Sequence, residues 1–109
     1  MRYRRAVHIN AEMGSVAVAP VACLGDMQKL VGGLIEMVTE LPNGDEVWAN
    51  EEALFINGLR SFTLDVPGRH ALWLYGNAYV IGRCDDDGES TDALSTAESV
   101  RQAVRFDGA

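Results

Sequence analysis

Pro42-Asn43-Gly44-Asp45 stands between two alternating runs, Leu34 to Leu41 and Glu46 to Asn50, and constrains the fold more than any other stretch of the chain. Proline presets its own φ and Asn-Gly tolerates positive φ, so the two runs are expected to pair as an antiparallel hairpin. A lone hairpin is marginal and needs further strands, and the rest of the chain supplies them. Tyr3, Arg5, Val7 and Ile9 alternate with Arg4, Ala6 and His8, a turn follows at Asn10 to Gly14, and Ser15 to Val21 alternates again with Pro20 near its end. Ala78-Tyr79-Val80-Ile81-Gly82 reads as a buried strand. Leu24, Met27, Leu30 and Val31 recur at near-helical spacing before Gly32-Gly33, which predicts a short helix over 24–31 ending in a left-handed cap. Ser95-Thr96-Ala97-Glu98 fits a capping box, and Leu94, Ala97, Val100, Ala103 and Val104 share one face, so a C-terminal helix is expected over 95–106. Residues 51–75 carry turn signals at Asn57-Gly58 and Pro67-Gly68 but no period that decides their conformation. The expected class is α+β: a small mixed, mostly antiparallel sheet with one short helix after the second strand and a C-terminal helix.

A chain of 109 residues suits a single domain, 1–109. Its longest apolar run, Val16 to Leu24, is broken by Pro20 and falls well short of the roughly 18 residues of a membrane span, so a soluble protein without membrane contact is expected. His8, Asn10 and Glu12 interrupt the apolar stretch that a signal peptide would need behind Met1-Arg2-Tyr3-Arg4-Arg5, and no export is expected. Cys23 and Cys84 are too few for a disulfide framework, which predicts a reduced, cytoplasmic setting.

Sixteen acids against nine bases give a net charge of −7, and the acids fall in two blocks. Glu36, Glu40, Asp45, Glu46, Glu51 and Glu52 occupy 36–52 without a Lys or Arg, and Asp85, Asp86, Asp87, Glu89 and Asp92 fill a polar, mobile loop over 85–93. The bases form no stripe able to neutralise several phosphates, so direct nucleic-acid binding is not expected. An acidic surface suits instead a protein partner with a basic one. Self-association is left open.

The chain lacks a serine nucleophile elbow, a His-Glu-x-x-His helix and a phosphate loop, so it does not read as an enzyme. Cys23, Cys84, His8 and His70 lack the paired spacing of a zinc site. Gly88 falls fourth from Asp85, where a calcium loop wants its glycine sixth. No metal and no cofactor are expected. The hairpin sets the strand of Glu36 beside the one ending at Asn50, so Glu36, Glu51 and Glu52 can cluster; acid–base catalysis by them ranks last among the functions weighed. Asn50, Glu51 and Glu52 lie just beyond a strand end, where side chains face a partner, and Trp48 anchors the strand behind them. Gly32, Gly33, Asn50 and Asn57 compose an alternative, a pocket for a small nucleotide-like ligand. The candidate binding residues are Glu36, Trp48, Asn50, Glu51, Glu52 and Asn57, with Asp85, Asp86 and Asp87 as a second, acidic-loop candidate.

Val31-Gly32-Gly33-Leu34-Ile35-Glu36, then Asn50-Glu51-Glu52 past a short hairpin, then Gly76-Asn77-Ala78-Tyr79-Val80-Ile81-Gly82 before an acidic loop, together resemble the domain-of-unknown-function family 3846. Its members are short proteins of bacteriophages, plasmids and actinobacterial genomes. The chain departs from the family at Ala53, where members continue with glycine, and at Ile56, where they often carry proline before the asparagine. The resemblance implies a mobile-element origin and no known activity. By analogy with small acidic accessory proteins of that setting, the expected function is non-catalytic: to bind and inhibit a host factor, such as a defence-system protein, through the acidic surface.

Overall fold

The computed structural model describes residues 2–107; Met1, Gly108 and Ala109, which the single-domain reading of 1–109 includes, lie outside the described residues. In chain order the elements are β1 (Arg4–Asn10), β2 (Ser15–Val21), α1 (Leu24–Val31), β3 (Ile35–Glu40), β4 (Glu46–Asn50), a 3₁₀ turn (Ala53–Phe55), β5 (Ser61–Leu64), β6 (Leu72–Tyr75), β7 (Ala78–Cys84), β8 (Ser90–Thr91), α2 (Ala97–Ala103) and β9 (Val104–Phe106). The larger sheet runs β2-β1-β7-β4-β3, with β8 also paired to β7, and the smaller runs β6-β5-β9. Every strand pair among the described residues is antiparallel.

Val80 of β7 faces Val7 on one side and Val47 on the other, so β7 is the central strand. The period of two in its side chains then sorts two cores. Val80 and Ala78 join Val7, Ile9, Val47 and Ala49 against Phe62, Leu64, Val100 and Val104 of the small sheet and α2. Tyr79 and Ile81 point the other way and meet Ala6, Val31, Met27 and Leu30 beneath α1. The result is three layers: α1, the large sheet, and the small sheet with α2. Each fully buried valine or leucine contributes about 1.5–3 kcal/mol relative to exposure, so the doubly covered strand carries much of the stability.

The expected α1 forms over Leu24–Val31, and Gly32 adopts the left-handed conformation (φ 79°) that ends it. The N–H groups of Gly32 and Gly33 both donate to the Gln28 carbonyl, at 2.8 and 3.1 Å. The C-terminal helix is shorter than 95–106. It spans Ala97–Ala103, and Val104–Phe106 leaves it to pair with Phe62–Leu64 of β5. A β-branched residue and an aromatic suit a strand, and the Phe106 ring packs on Phe62 at 6.3 Å. The capping box sits one residue later than the sequence suggested: Thr96 Oγ1 accepts from Ser99 N–H and Ser99 Oγ from Thr96 N–H. Ser95 is otherwise engaged, since its N–H donates to Asp45 and its Oγ accepts from Asn43. Leu94, placed on the apolar face by spacing, is 69% exposed.

The acidic loop is a hydrogen-bonded hairpin rather than an open connection. Asp85 Oδ1 accepts from the N–H groups of Asp87 and Glu89, Ser90 and Thr91 pair with β7, and Glu89 reaches Arg4 at 2.7 Å. Asp92 Oδ1 accepts from Arg5 N–H at 2.7 Å, which ties the segment to β1. A Cβ at Gly82 would fall 2.7 Å from the Thr91 carbonyl oxygen and closer still to Asp92, so only glycine lets β8 lie across β7 here.

Asp45 follows the β3–β4 turn and is fully buried. Its two carboxylate oxygens accept from the N–H groups of Leu94, at 3.0 Å, and Ser95, at 2.8 Å, fastening the hairpin to the segment that enters α2. Asp45→Ala would leave both donors without that acceptor, for an expected loss of roughly 2–4 kcal/mol, with Asp45→Asn losing less because one oxygen remains. Urea denaturation of both variants checks the order.

Tyr79 is also fully buried, but its hydroxyl has no hydrogen-bond partner. Burial, with the charge of Glu46 adding, holds this phenol well above its ordinary value of 10.0. The unfolded chain therefore ionises Tyr79 near pH 10 while the folded protein keeps the proton, and the stability present below that pH is lost as pH rises above it. Tyr79→Phe removes an unsatisfied donor and the titrating group together. It should gain about 1 kcal/mol at neutral pH, and should fall less steeply than the wild type when thermal melting is followed into the alkaline range.

Candidate functional site

Asn50 ends β4 and is buried. Its Nδ2 donates to the Val31 carbonyl at 3.3 Å, its Oδ1 accepts from Glu52 N–H at 2.8 Å, and Glu51 N–H donates to the Leu34 carbonyl at 3.0 Å. A Cβ on Gly33 would sit 2.8 Å from Asn50 Nδ2, so the glycine admits the amide. The two blocks singled out in the sequence, Val31 to Leu34 and Asn50 to Glu52, thus form one polar knot. Both hydrogen-bonding ends of Asn50 serve it, so the amide acts as a brace rather than a ligand contact.

Glu51 and Glu52 project from this knot into solvent. Among the described residues neither has an ion-pair partner; the described pairs are Arg4 with Glu89 and, at 3.9 Å, Arg83 with Glu40. Arg69 donates to Thr39 Oγ1 at 2.9 Å. Glu36 is exposed on β3 opposite Ala49. A cleft of about 290 Å³ lies between β3, the 3₁₀ turn and β6, lined by Glu36, Met37, Glu51, Leu54, Trp73 and Tyr75 among others. The Trp73 and Tyr75 rings stack at 5.9 Å. Leu54 is 78% exposed and Trp73 63%, and both line this cleft with Glu36 and Glu51; Phe55, 85% exposed, and Glu52 stand on the adjoining 3₁₀ turn.

The structure brings Glu36, Asn50 and Glu51 to one cleft, with Glu52 beside them on the turn that Asn50 braces, and leaves out the other candidates. Trp48 lies on the opposite face because its neighbours Val47 and Ala49 take the inner positions of β4; it stacks on Tyr79 at 6.5 Å and its Nε1 donates to Glu46. Asn57 is exposed in the turn with Gly58 (φ 83°) and does not line the cleft. Asp85, Asp86 and Asp87 lie beyond the far end of β7, where Asp85 spends its carboxylate on the turn and Asp86 and Asp87 face solvent. The aromatic residues of the cleft are Trp73 and Tyr75, whose segment carried no decisive period. Its signal was the spacing Leu72-Trp73-Leu74-Tyr75, which as a strand puts the two leucines inward and the two rings outward.

A larger cleft of about 720 Å³ opens between the β3–β4 turn, the β5–β6 connection and α2. Leu64, Val80 and Val100 are among its apolar lining residues, and Asn43, Asp65 and Arg69 are among its polar ones. None of the sequence-derived candidates lines it. Among the described residues no three His, Cys, Asp or Glu side chains gather as metal ligands. Cys23 and Cys84 are exposed and unbridged, and His8 Nε2 lies 2.7 Å from the Leu30 carbonyl. No helix among the described residues is long and apolar enough to cross a membrane.

An α+β sandwich of two antiparallel sheets, with an apolar, acid-rimmed cleft at one side, is thus the setting of the blocks that resembled a family. The chain belongs to that family, the domain of unknown function DUF3846, whose model matches residues 4–105. No curated protein and no solved structure matches the chain.

The knot and the projecting acids separate experimentally. Asn50→Ala should cost roughly 1–3 kcal/mol by leaving Val31 C=O and Glu52 N–H without their partner. Glu51→Gln with Glu52→Gln should stay within about 0.5 kcal/mol of the wild type, as exposed and unpaired groups do. Urea denaturation measures both.

Proposed function

We propose that this is a non-catalytic binding protein that engages a protein partner with a basic surface through the face formed by β3, the 3₁₀ turn and β6. In the mobile-element setting that the resemblance implies, the partner is a host factor that binding inhibits. One observation carries the reading: exposed Leu54 and Trp73 line one cleft with Glu36 and Glu51, exposed Phe55 and Glu52 stand on the adjoining 3₁₀ turn, and no Lys or Arg occurs between Lys29 and Arg60. Exposed apolar side chains grouped within a polar rim mark interaction sites, and Trp anchors with surrounding charge fit a hot spot and its edge. The acids speed encounter with a basic surface, while the apolar side chains supply affinity once water is excluded.

A second reading, a small-ligand binder, is favoured by the 720 Å³ cleft and its apolar floor. That volume falls in the range of ligand sites, whereas Gly33 and Asn50 are spent on each other.

Affinity capture from the natural host identifies the partner, which is then purified and titrated calorimetrically against the wild type and against Phe55→Ser with Trp73→Ser. The double variant should fold normally and bind at least roughly tenfold more weakly. Glu51→Gln with Glu52→Gln should slow association and reduce its dependence on salt. Undiminished affinity in the Phe55/Trp73 variant would overturn the assignment of this face.

A further inference from the structure

Resting on the protein-binding reading above, we infer that the partner contributes an extended basic segment that adds to the open edge of β3 as a further strand. β3 ends the large sheet and pairs only with β4. Among the described residues no turn or loop backbone group bonds to Ile35–Glu40, so one side of the strand keeps N–H and C=O groups that no other strand satisfies. Such a row is a template for an incoming strand, whose main chain supplies the bonds and whose side chains supply selectivity.

The two edges of the large sheet are protected differently. β2, the opposite edge, carries Pro20, which removes a donor, and no charged residue. β3 has no proline; its ladder with β4 shifts register between Met37 and Thr39, and it carries Glu36 and Glu40, both exposed. Against a second copy of this chain those acids would repel, because an antiparallel pairing centred on Val38 sets Glu36 opposite Glu40 and a parallel in-register pairing sets each against itself. Against a strand bearing Lys or Arg they attract. Glu40 has only the exposed 3.9 Å contact with Arg83 to give up, and Glu36 has no ion pair among the described residues.

The cleft beside the edge completes the specification. Glu36 and Met37 of β3 form one wall and Trp73 and Tyr75 of β6 the other, so a strand laid along β3 passes the mouth of an apolar slot of about 290 Å³. An occupant fitting all three features has basic side chains for Glu36 and Glu40, an apolar side chain for the slot, and a backbone free to hydrogen-bond. Charge alone would not require the last of these.

The test uses the whole protein, isotope-labelled, and a pool of short synthetic peptides with Lys at alternate positions and varied apolar residues between. Binding should slow amide exchange at Ile35–Glu40. Methylating alternate peptide nitrogens, which keeps every charge and side chain, should weaken binding roughly tenfold or more. Glu36→Lys with Glu40→Lys should abolish binding of the Lys peptides. Equal binding by the methylated peptides, protection at β2 instead of β3, or no binding by any member of the pool would overturn strand addition. If that happens while the Phe55/Trp73 variant still loses the captured host protein, the binding face stands and only its mode falls. If the peptides protect β3 but that variant keeps full affinity for the host protein, the reverse holds.

Discussion

The rest of the molecule hangs on the burial of β7 on both faces. From Ala78 to Gly82 the strand is shut off from solvent, and its neighbours β1 and β4 take up the hydrogen bonds on its two sides. A strand whose side chains are apolar in both directions needs a cover above and below, and the chain provides α1 for Tyr79 and Ile81 and the small sheet for Ala78 and Val80. The order of layers follows from that demand.

β4 couples the layers through two buried polar side chains, one at each end. Asp45, just before the strand, holds the segment leading into α2, and Asn50, its last residue, holds the C-terminal turn of α1. Burying a carboxylate or an amide is tolerable only when its lone pairs and donors are met, and here backbone groups meet them. Glu51 and Glu52 are carried on the turn that Asn50 braces, so the placement of these exposed acids depends on an interior contact.

Local signals made much of this legible. Pro42-Asn43-Gly44 marked the hairpin, Gly32-Gly33 marked the end of α1, and the apolar run after Asn77 marked the central strand, because each records a backbone requirement within a few residues. What was not legible depended on distant partners. Val104 to Phe106 looks helical by spacing until β5 is available to pair with it, and Leu72 to Tyr75 becomes a strand for the same reason. At the site, the proximity of Glu36 to Asn50 followed from the hairpin. Trp48 was assigned to the site by nearness in sequence, but nearness along a strand also means alternation, and its side chain lies on the other face. Asp45 read as one more surface acid because nothing nearby announces that Leu94 and Ser95 will bring their N–H groups to it.

The small sheet has β5 at its centre, yet its two neighbours arrive at different times during synthesis. β6 follows β5 after a short connection, while β9 lies beyond the whole of β7, β8 and α2. A chain leaving the ribosome can close the β5–β6 hairpin early but must wait for Val104 to Phe106 before Phe62 gains Phe106 as its aromatic neighbour. Long-range ladders of this kind slow folding because the loop must close before its contacts reward it. Until Val104 to Phe106 has paired, the inner face of β5 lacks its last cover, which leaves the nascent chain prone to aggregation through that interval.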